Sequence, residues 1–229
     1  MEPKHLIGVA RRDLLPMIGE EGFVEVSESD RWPDGRVKYP RPLITYRHGG
    51  EDEYEAITIY TNKKRLLAAS LLYVPAALRE RVEAEVQIGL SPHRHSYLSE
   101  AAMRSTPQWL PCRDAAEASK SLRSVADMYQ RLGRPWLNAL RQPVAFAQEV
   151  REGSFILAAL AYETAGDVAV ARQYYEKAAS RFEDVSERTG GILQSPQLWN
   201  DILYVSEKIG WRPKLVDEIE AKIAAGKPD

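Results

Sequence analysis

Eight consecutive residues, Phe155 to Tyr162 (FILAALAY), are all apolar or aromatic, and a helix of that composition has no face to offer to water. Such a helix must be covered on several sides by the rest of the protein, so this short stretch constrains the fold more than any other. Gly166 and Asp167 follow it. Glycine accepts the left-handed backbone that closes a helix, and an aspartate next to it can accept amide hydrogen bonds from a second helix. Beyond this hinge Ala171, Tyr175, Ala178, Phe182 and Val185 recur at helical spacing, while Arg172, Gln173, Glu176, Arg181 and Asp184 take the other faces. The pattern predicts two antiparallel helices joined at residues 166 and 167, with a small-and-aromatic seam between them.

Ala159, Tyr162, Gly166, Asp167, Ala171, Tyr175 and Ala178 fall, in order, at small, aromatic, turn, small, aromatic and small positions. In this the stretch from about residue 152 to residue 185 resembles a tetratricopeptide repeat, a helix-turn-helix unit of about 34 residues. The small residues have a physical reason, since they let paired helices approach to about 8–10 Å between axes. Two positions depart from the pattern: Phe155 stands where tryptophan is usual, and Glu183 where proline is usual. A weaker echo lies upstream, where Ala126, Tyr129 and Gly133 each precede Ala159, Tyr162 and Gly166 by 33 residues, which suggests a degenerate earlier repeat. Leu203 to Gly210 and the residues from Trp211 onward suggest a third helical pair. The alternative is a generic helical hairpin, since alanine and tyrosine are common helix residues.

Repeats of that family bind peptides on a concave face lined by their first helices, and by the resemblance the lining here would be Ile156, Leu160 and Glu163. Two of the three are apolar, and an open groove of that kind is expected to be covered, by the N-terminal half or by a partner protein.

The preceding part of the chain reads differently. Leu6, Ile7, Leu14, Leu15, Met17 and Ile18 place an amphipathic helix over residues 4 to 19, and Gly22-Phe23-Val24 leads into extended chain. Leu43 to His48 and Tyr54 to Thr61 are rich in β-branched and aromatic residues and flank Gly49-Gly50, the signature of a hairpin. The leucines and alanines of Leu66 to Val74 favour helix, but its place after a hairpin favours a buried third strand, and strand is the reading adopted. A helix over Ala76 to Val86 and a further strand within Ser91 to Met103 complete an α+β fold: a small antiparallel sheet with helices in the N-terminal half.

Asp114 and Glu117 form an acidic variant of the capping box, opening a helix that runs to about Leu132, with Pro135 and Pro143 breaking the next stretch. Ser195-Pro196 and Arg212-Pro213 open the last helices. The domains are therefore expected as 1–112, α+β, and 113–229, all-helical and tetratricopeptide-like, packed against the first.

Composition sets outer bounds. With 229 residues, 44% hydrophobic and 28% charged, the chain can bury a sizeable core. A net charge of −2 gives no electrostatic reason to expect nucleic acid as a partner. Cys112 is the single cysteine, which excludes an intramolecular disulfide and fits a reducing compartment. The uncharged stretch Leu66 to Leu78 spans 13 residues and contains Pro75, well short of a membrane-spanning helix. The N-terminal residues, with an acidic second position and an early Arg11-Arg12 pair, do not read as a secretion signal. A cytoplasmic protein without membrane partners is expected.

Chemistry is sparse. The glycine-rich, serine-elbow and paired-histidine spacings of common catalytic and phosphate-binding turns are missing from the sequence. His93 and His95 are close enough to act together on one strand face, yet an exposed polar strand edge is the reading preferred over a zinc site. No metal, cofactor or catalytic residue is assigned. The proline-rich loop from Arg31 to Arg41 interleaves Trp32 and Tyr39 with Arg36, Lys38 and Arg41, residue types that dominate interface hot spots and can also stack bases. Its aromatics can equally tuck under the loop to close the core. Glu51, Asp52, Glu53 and Glu55 crowd the hairpin and read either as a solvated edge that blocks strand pairing or as a site for a basic partner.

These readings point to a non-enzymatic interaction protein whose partner is another protein. In size and build the chain also resembles the immunity proteins of bacterial polymorphic toxins, and that resemblance implies a toxin as partner. The rival reading is an enzyme, or a nucleic-acid-handling protein, with its site between the two halves.

Overall fold

The structure, a computed structural model, describes residues 2–26, 41–50, 53–81, 96–104, 106–150, 154–189, 196–212 and 214–224. Two compact units divide the chain, Met1–Gln142 and Pro143–Asp229.

The first unit opens on α1 (Pro3–Asp13) and α2 (Leu15–Gly19), two helices where the sequence predicts one. Pro16 accounts for the break, having no amide to donate and a ring that crowds the carbonyl one turn back. An antiparallel sheet follows in chain order: β1 (Val24–Glu25), β2 (Arg41–Gly49), β3 (Tyr54–Thr61), β4 (Leu66–Val74) and β5 (Ser96–Tyr97), with β6 (Leu110–Pro111) pairing with the start of β4. The hairpin forms as expected, with Ile44 opposite Ile59, Tyr46 opposite Ile57 and His48 opposite Glu55. Leu66 to Val74 is the third strand, placing Ala69, Leu71 and Tyr73 beside Ile59, Ile57 and Glu55. Both faces are buried, with Ile57, Ile59 and Leu71 on one and Ala56, Tyr60 and Leu72 on the other. A strand covered on both sides does not alternate apolar with polar, so β4 carries the helix-like composition LLAASLLYV.

The helix predicted from Ala76 begins as a 3₁₀ turn, Ala76–Leu78. Among the described residues of the region expected to return as a strand, β5 and an isolated bridge between Tyr97 and Arg104 are extended.

The helix α3 (Ala115–Met128) starts where the capping residues place it: Asp114 Oδ1 accepts from the Glu117 amide at 2.9 Å. The Glu117 carboxylate reaches back to the Arg113 amide at 3.0 Å, one residue before the cap. At the other end the chain departs from expectation. No stop occurs near Leu132 and no break at Pro135; α3 continues through a π-helical turn, Tyr129–Gly133, directly into α4 (Arg134–Leu140). The wider turn gives room for Pro135, which brings no amide to the helix. Gly133 keeps a helical φ of −67°. A Cβ on it would stand 2.5 Å from Leu71 Cδ1 and 3.2 Å from Leu98 Cδ2, so this glycine permits close approach of helix to sheet. Ala126, Tyr129 and Gly133 are therefore not a helix-turn-helix unit. Because α3 packs on α1, β4 and β6, the helices from 115 to 140 belong to the first unit, and the boundary expected at 113 falls instead between Gln142 and Pro143.

The second unit is helical: α5 (Pro143–Glu149), α6 (Phe155–Thr164), α7 (Val168–Thr189), α8 (Pro196–Ile209) and α9 (Lys214–Ala224), each packed on the next in the chain. Ile156, Leu157, Ala158, Ala159, Ala161 and Tyr162 of α6 are buried, as its unbroken apolar composition requires. The hinge is closed by paired hydrogen bonds, Gly166 N–H to Glu163 O at 2.9 Å and Asp167 N–H to Tyr162 O at 2.9 Å, with Gly166 at φ +83°. Asp167 Oδ1 then accepts from the Val170 amide at 3.1 Å, capping α7. Ala171, Tyr175 and Ala178 are buried on the facing side. Between α8 and α9, Trp199, Ile202, Val216 and Ile219 form a further apolar cluster, with Phe182, Leu203 and Trp211 packed against it. The architecture is α+β, with a strand-rich first unit and a second one that is mostly helical among its described residues.

Candidate functional site

Three strands of the first unit end side by side, and their register sets His48, Glu55 and Tyr73 in one row across the sheet. Glu55 is not the solvated edge expected of it; it is only 6% exposed. Its Oε1 accepts from Arg141 Nη2 at 3.1 Å, and its Oε2 lies 3.5 Å from His48 Nδ1. A carboxylate can be buried here because an arginine just past the end of α4 neutralises it. The Tyr73 hydroxyl turns the other way and donates to Glu53 Oε1 at 2.9 Å.

A second carboxylate lies beside this row. Glu21, in the turn after α2, accepts from the Tyr129 hydroxyl at 2.7 Å and from Gln130 Nε2 at 2.6 Å, and Arg134 Nη1 is 3.4 Å away. Phe23 lies between the two groups, its ring 5.4 Å from that of His48 and edge-on to Tyr129 at 5.7 Å. Burial pushes the Tyr129 phenol up, and its hydrogen bond to Glu21 pushes it further. Tyr73 is raised by burial and then by Glu53. Both phenols therefore stay protonated at neutral pH and act as fixed donors to carboxylates.

The second unit has its own polar knot, and Glu163 is in it. Tyr175 donates to Glu163 Oε2 at 3.0 Å, and Lys208 Nζ reaches the two carboxylate oxygens at 3.0 and 3.1 Å. Since the carboxylate can only accept, the 3.3 Å contact between the Tyr175 and Tyr204 hydroxyls has Tyr204 as donor. Three helices, α6, α7 and α8, are thus joined through one glutamate. On the same hairpin Tyr162 stacks on Tyr174 with centroids 5.3 Å apart, and Lys177 Nζ lies 4.3 Å over the Tyr174 ring.

Of the residues the sequence singled out, Ile156 is 4% exposed and so belongs to the core rather than to an open groove. Leu160 is half-buried, and Glu163 is engaged as described. Glu53 is exposed and paired with Tyr73, and Arg41 lies in β2 opposite Thr61. Arg31, Trp32, Arg36, Tyr39, Glu51, Asp52, His93 and His95 lie outside the described residues. Among the described residues no three or more His, Cys, Asp or Glu side chains are grouped to hold a metal ion, and no helix is long and apolar enough to cross a membrane.

The residues that sequence reasoning missed are Glu21, His48, Tyr129, Gln130, Arg134 and Arg141. Glu21 and Tyr129 are 108 positions apart, and no local pattern links them. Tyr129 and Arg134 are five apart, on either side of a widened helical turn, and both reach Glu21.

The fold defines the class of the chain, an α+β protein ending in a run of sequentially packed helices. No protein-family model matches it, and no curated protein or solved structure is significantly similar to it.

Proposed function

We propose that this chain is a non-enzymatic interaction protein that binds another protein, with a scaffold of tetratricopeptide-like helical pairs in its second unit. The observation that carries this reading is the packing of α5 through α9, each helix on the next in chain order. Helices stacked in sequence form a quasi-one-dimensional array, and arrays of this kind offer extended surfaces rather than a single cavity. The seam supports the same reading, because Ala171, Tyr175 and Ala178 meet the buried α6 through a hinge with the turn chemistry of such a unit. The ionisable clusters of both units fit it as well. Glu55, Glu21 and Glu163 each hold elements together through cations and hydroxyls, which is how paired carboxylates serve architecture. Within this reading the finer assignment is neutralisation of a toxin, by analogy of size and build to immunity proteins.

The test is co-purification of the full chain from its native host, with bound proteins identified by mass spectrometry. One stoichiometric protein partner is the expected result. Recovery of no partner, together with turnover of a nucleotide or RNA by the purified chain, would reverse the assignment.

A further inference from the structure

Two hydrogen-bond donors and a cation converge on one carboxylate at the π-helical turn: Tyr129 Oη at 2.7 Å, Gln130 Nε2 at 2.6 Å and Arg134 Nη1 at 3.4 Å from Glu21. Gln130 and Arg134, four positions apart, share a helix face, Tyr129 joins them at the widened turn, and such turns occur frequently at functional positions. The arrangement is fixed on one side and open on the other. Tyr129 is 2% exposed, while the Arg134 side chain is 56% exposed and that of Glu21 is 21% exposed. Two residues after Glu21, Phe23 is 2% exposed in a slot between the His48 and Tyr129 rings. Gly22 joins them at φ +89°, and a Cβ on it would meet His48 Cδ2 at 2.9 Å. Glu21-Gly22-Phe23 thus docks at two points, an acid in the π turn and an aromatic ring in the slot. The elements flanking it are short, five residues of α2 and two of β1.

We propose that this is a docking site for an acidic residue followed two positions on by an aromatic one, carried by a partner polypeptide, and that the chain's own Glu21-Gly22-Phe23 is the resident occupant that the partner displaces. The proposal rests on the reading of the chain as an interaction protein and names the chemistry of the partner segment. A polypeptide is the ligand, rather than a small free carboxylate, because the resident segment is tethered. A tether supplies an effective concentration of about millimolar or higher, and two hydrogen bonds and an exposed ion pair to a lone carboxylate do not overcome it. A competing segment must also fill the aromatic slot and add contacts around it.

The probe is a fluorescein-labelled peptide of residues 19–26, GEEGFVEV, tested on the full chain and on its Glu21→Gln/Phe23→Ala variant, which loosens the resident segment at both points. We expect the variant to bind the peptide about tenfold or more tightly than the parent chain. Glutamine for the second glutamate of the peptide should cost about tenfold, as should Tyr129→Phe/Arg134→Ala added to the variant. Equal binding to parent and variant, or indifference to the glutamine exchange, would overturn the proposal. So would displacement of the peptide by sodium acetate at matched ionic strength, since the site would then read the carboxylate alone. If the variant fails to unfold cooperatively, hydrogen exchange of residues 20–25 in the parent chain with excess peptide replaces the comparison, and unchanged exchange sinks the idea. A native partner retained by the chain while these binding tests fail removes this site and leaves the interaction reading intact.

Discussion

Two positions show how single atoms set the fold. Gly133 lies where α3 runs into α4 above the sheet, with Leu71, Tyr129 and Leu98 all within 3.2 Å of where a Cβ would stand. Gly133→Ala gains about 1 kcal/mol of helix propensity but overpacks a buried contact at about 1–3 kcal/mol, so a net loss of stability is expected in urea denaturation. No change, or a gain, would show that the helix does not rest on β4 there. Asp13 offers a test by pH. The Arg12 guanidinium bonded to it, helped by Ser119 of α3, lowers its carboxyl to about 2 from an ordinary 3.8. A depressed carboxylate adds stability above its unfolded value and loses it as pH falls through the folded one. Stability should therefore decline between about pH 4 and pH 2, and Asp13→Asn should remove roughly 1 kcal/mol of that decline after allowance for solvent screening. An identical acid slope in the two proteins would show that the contact carries no weight.

At the scale of elements, the α6–α7 hairpin separates backbone effects from packing effects. Gly166 has open space where a Cβ would go, so Gly166→Ala tests only the cost of a left-handed residue at φ +83°, about 1 kcal/mol. Ala178, at 3% exposed, tests the seam itself. Ala178→Arg forces an unpaired charge between helices and should cost several kcal/mol, about 3–5, by thermal or urea unfolding. A loss below about 0.5 kcal/mol, the range of surface substitutions, would put that alanine outside the core. The two substitutions together distinguish a hinge that is merely compatible with the hairpin from a seam that holds it.

For the whole molecule, the division at Gln142 and Pro143 gives a prediction about where damage spreads. Glu55→Ala removes the acid that Arg141 and His48 share, and should raise hydrogen exchange across β2, β3 and β4. Ala178→Arg should raise exchange in α6 and α7. Substitutions without shared partners act independently, so neither variant is expected to loosen the other's elements. Exchange that rises everywhere in either variant would mean that the two units do not behave as separate cooperative blocks.

Local chemistry was enough to place much of this protein. The unbroken apolar run 155–162 can only be a buried helix, Gly166-Asp167 can only be a hinge of that kind, and Asp114 with Glu117 fixes where α3 begins, because each depends on neighbours within one or two turns. The sequence could not show that Gly133 packs instead of turning. In one chain a glycine that permits close approach looks the same as one that ends a helix, and the difference lies in Leu71 and Leu98. Nor could it show that Glu55 is buried or that Glu21 meets Tyr129. A carboxylate on a strand looks solvated until an arginine 86 positions away covers it, and an acid in a turn looks idle until a helix 108 positions away presents its donors. Patterns within a turn or two of chain are set by the residues themselves, whereas the partners of isolated charges and the purpose of a glycine are set by which distant surfaces the folded chain brings together.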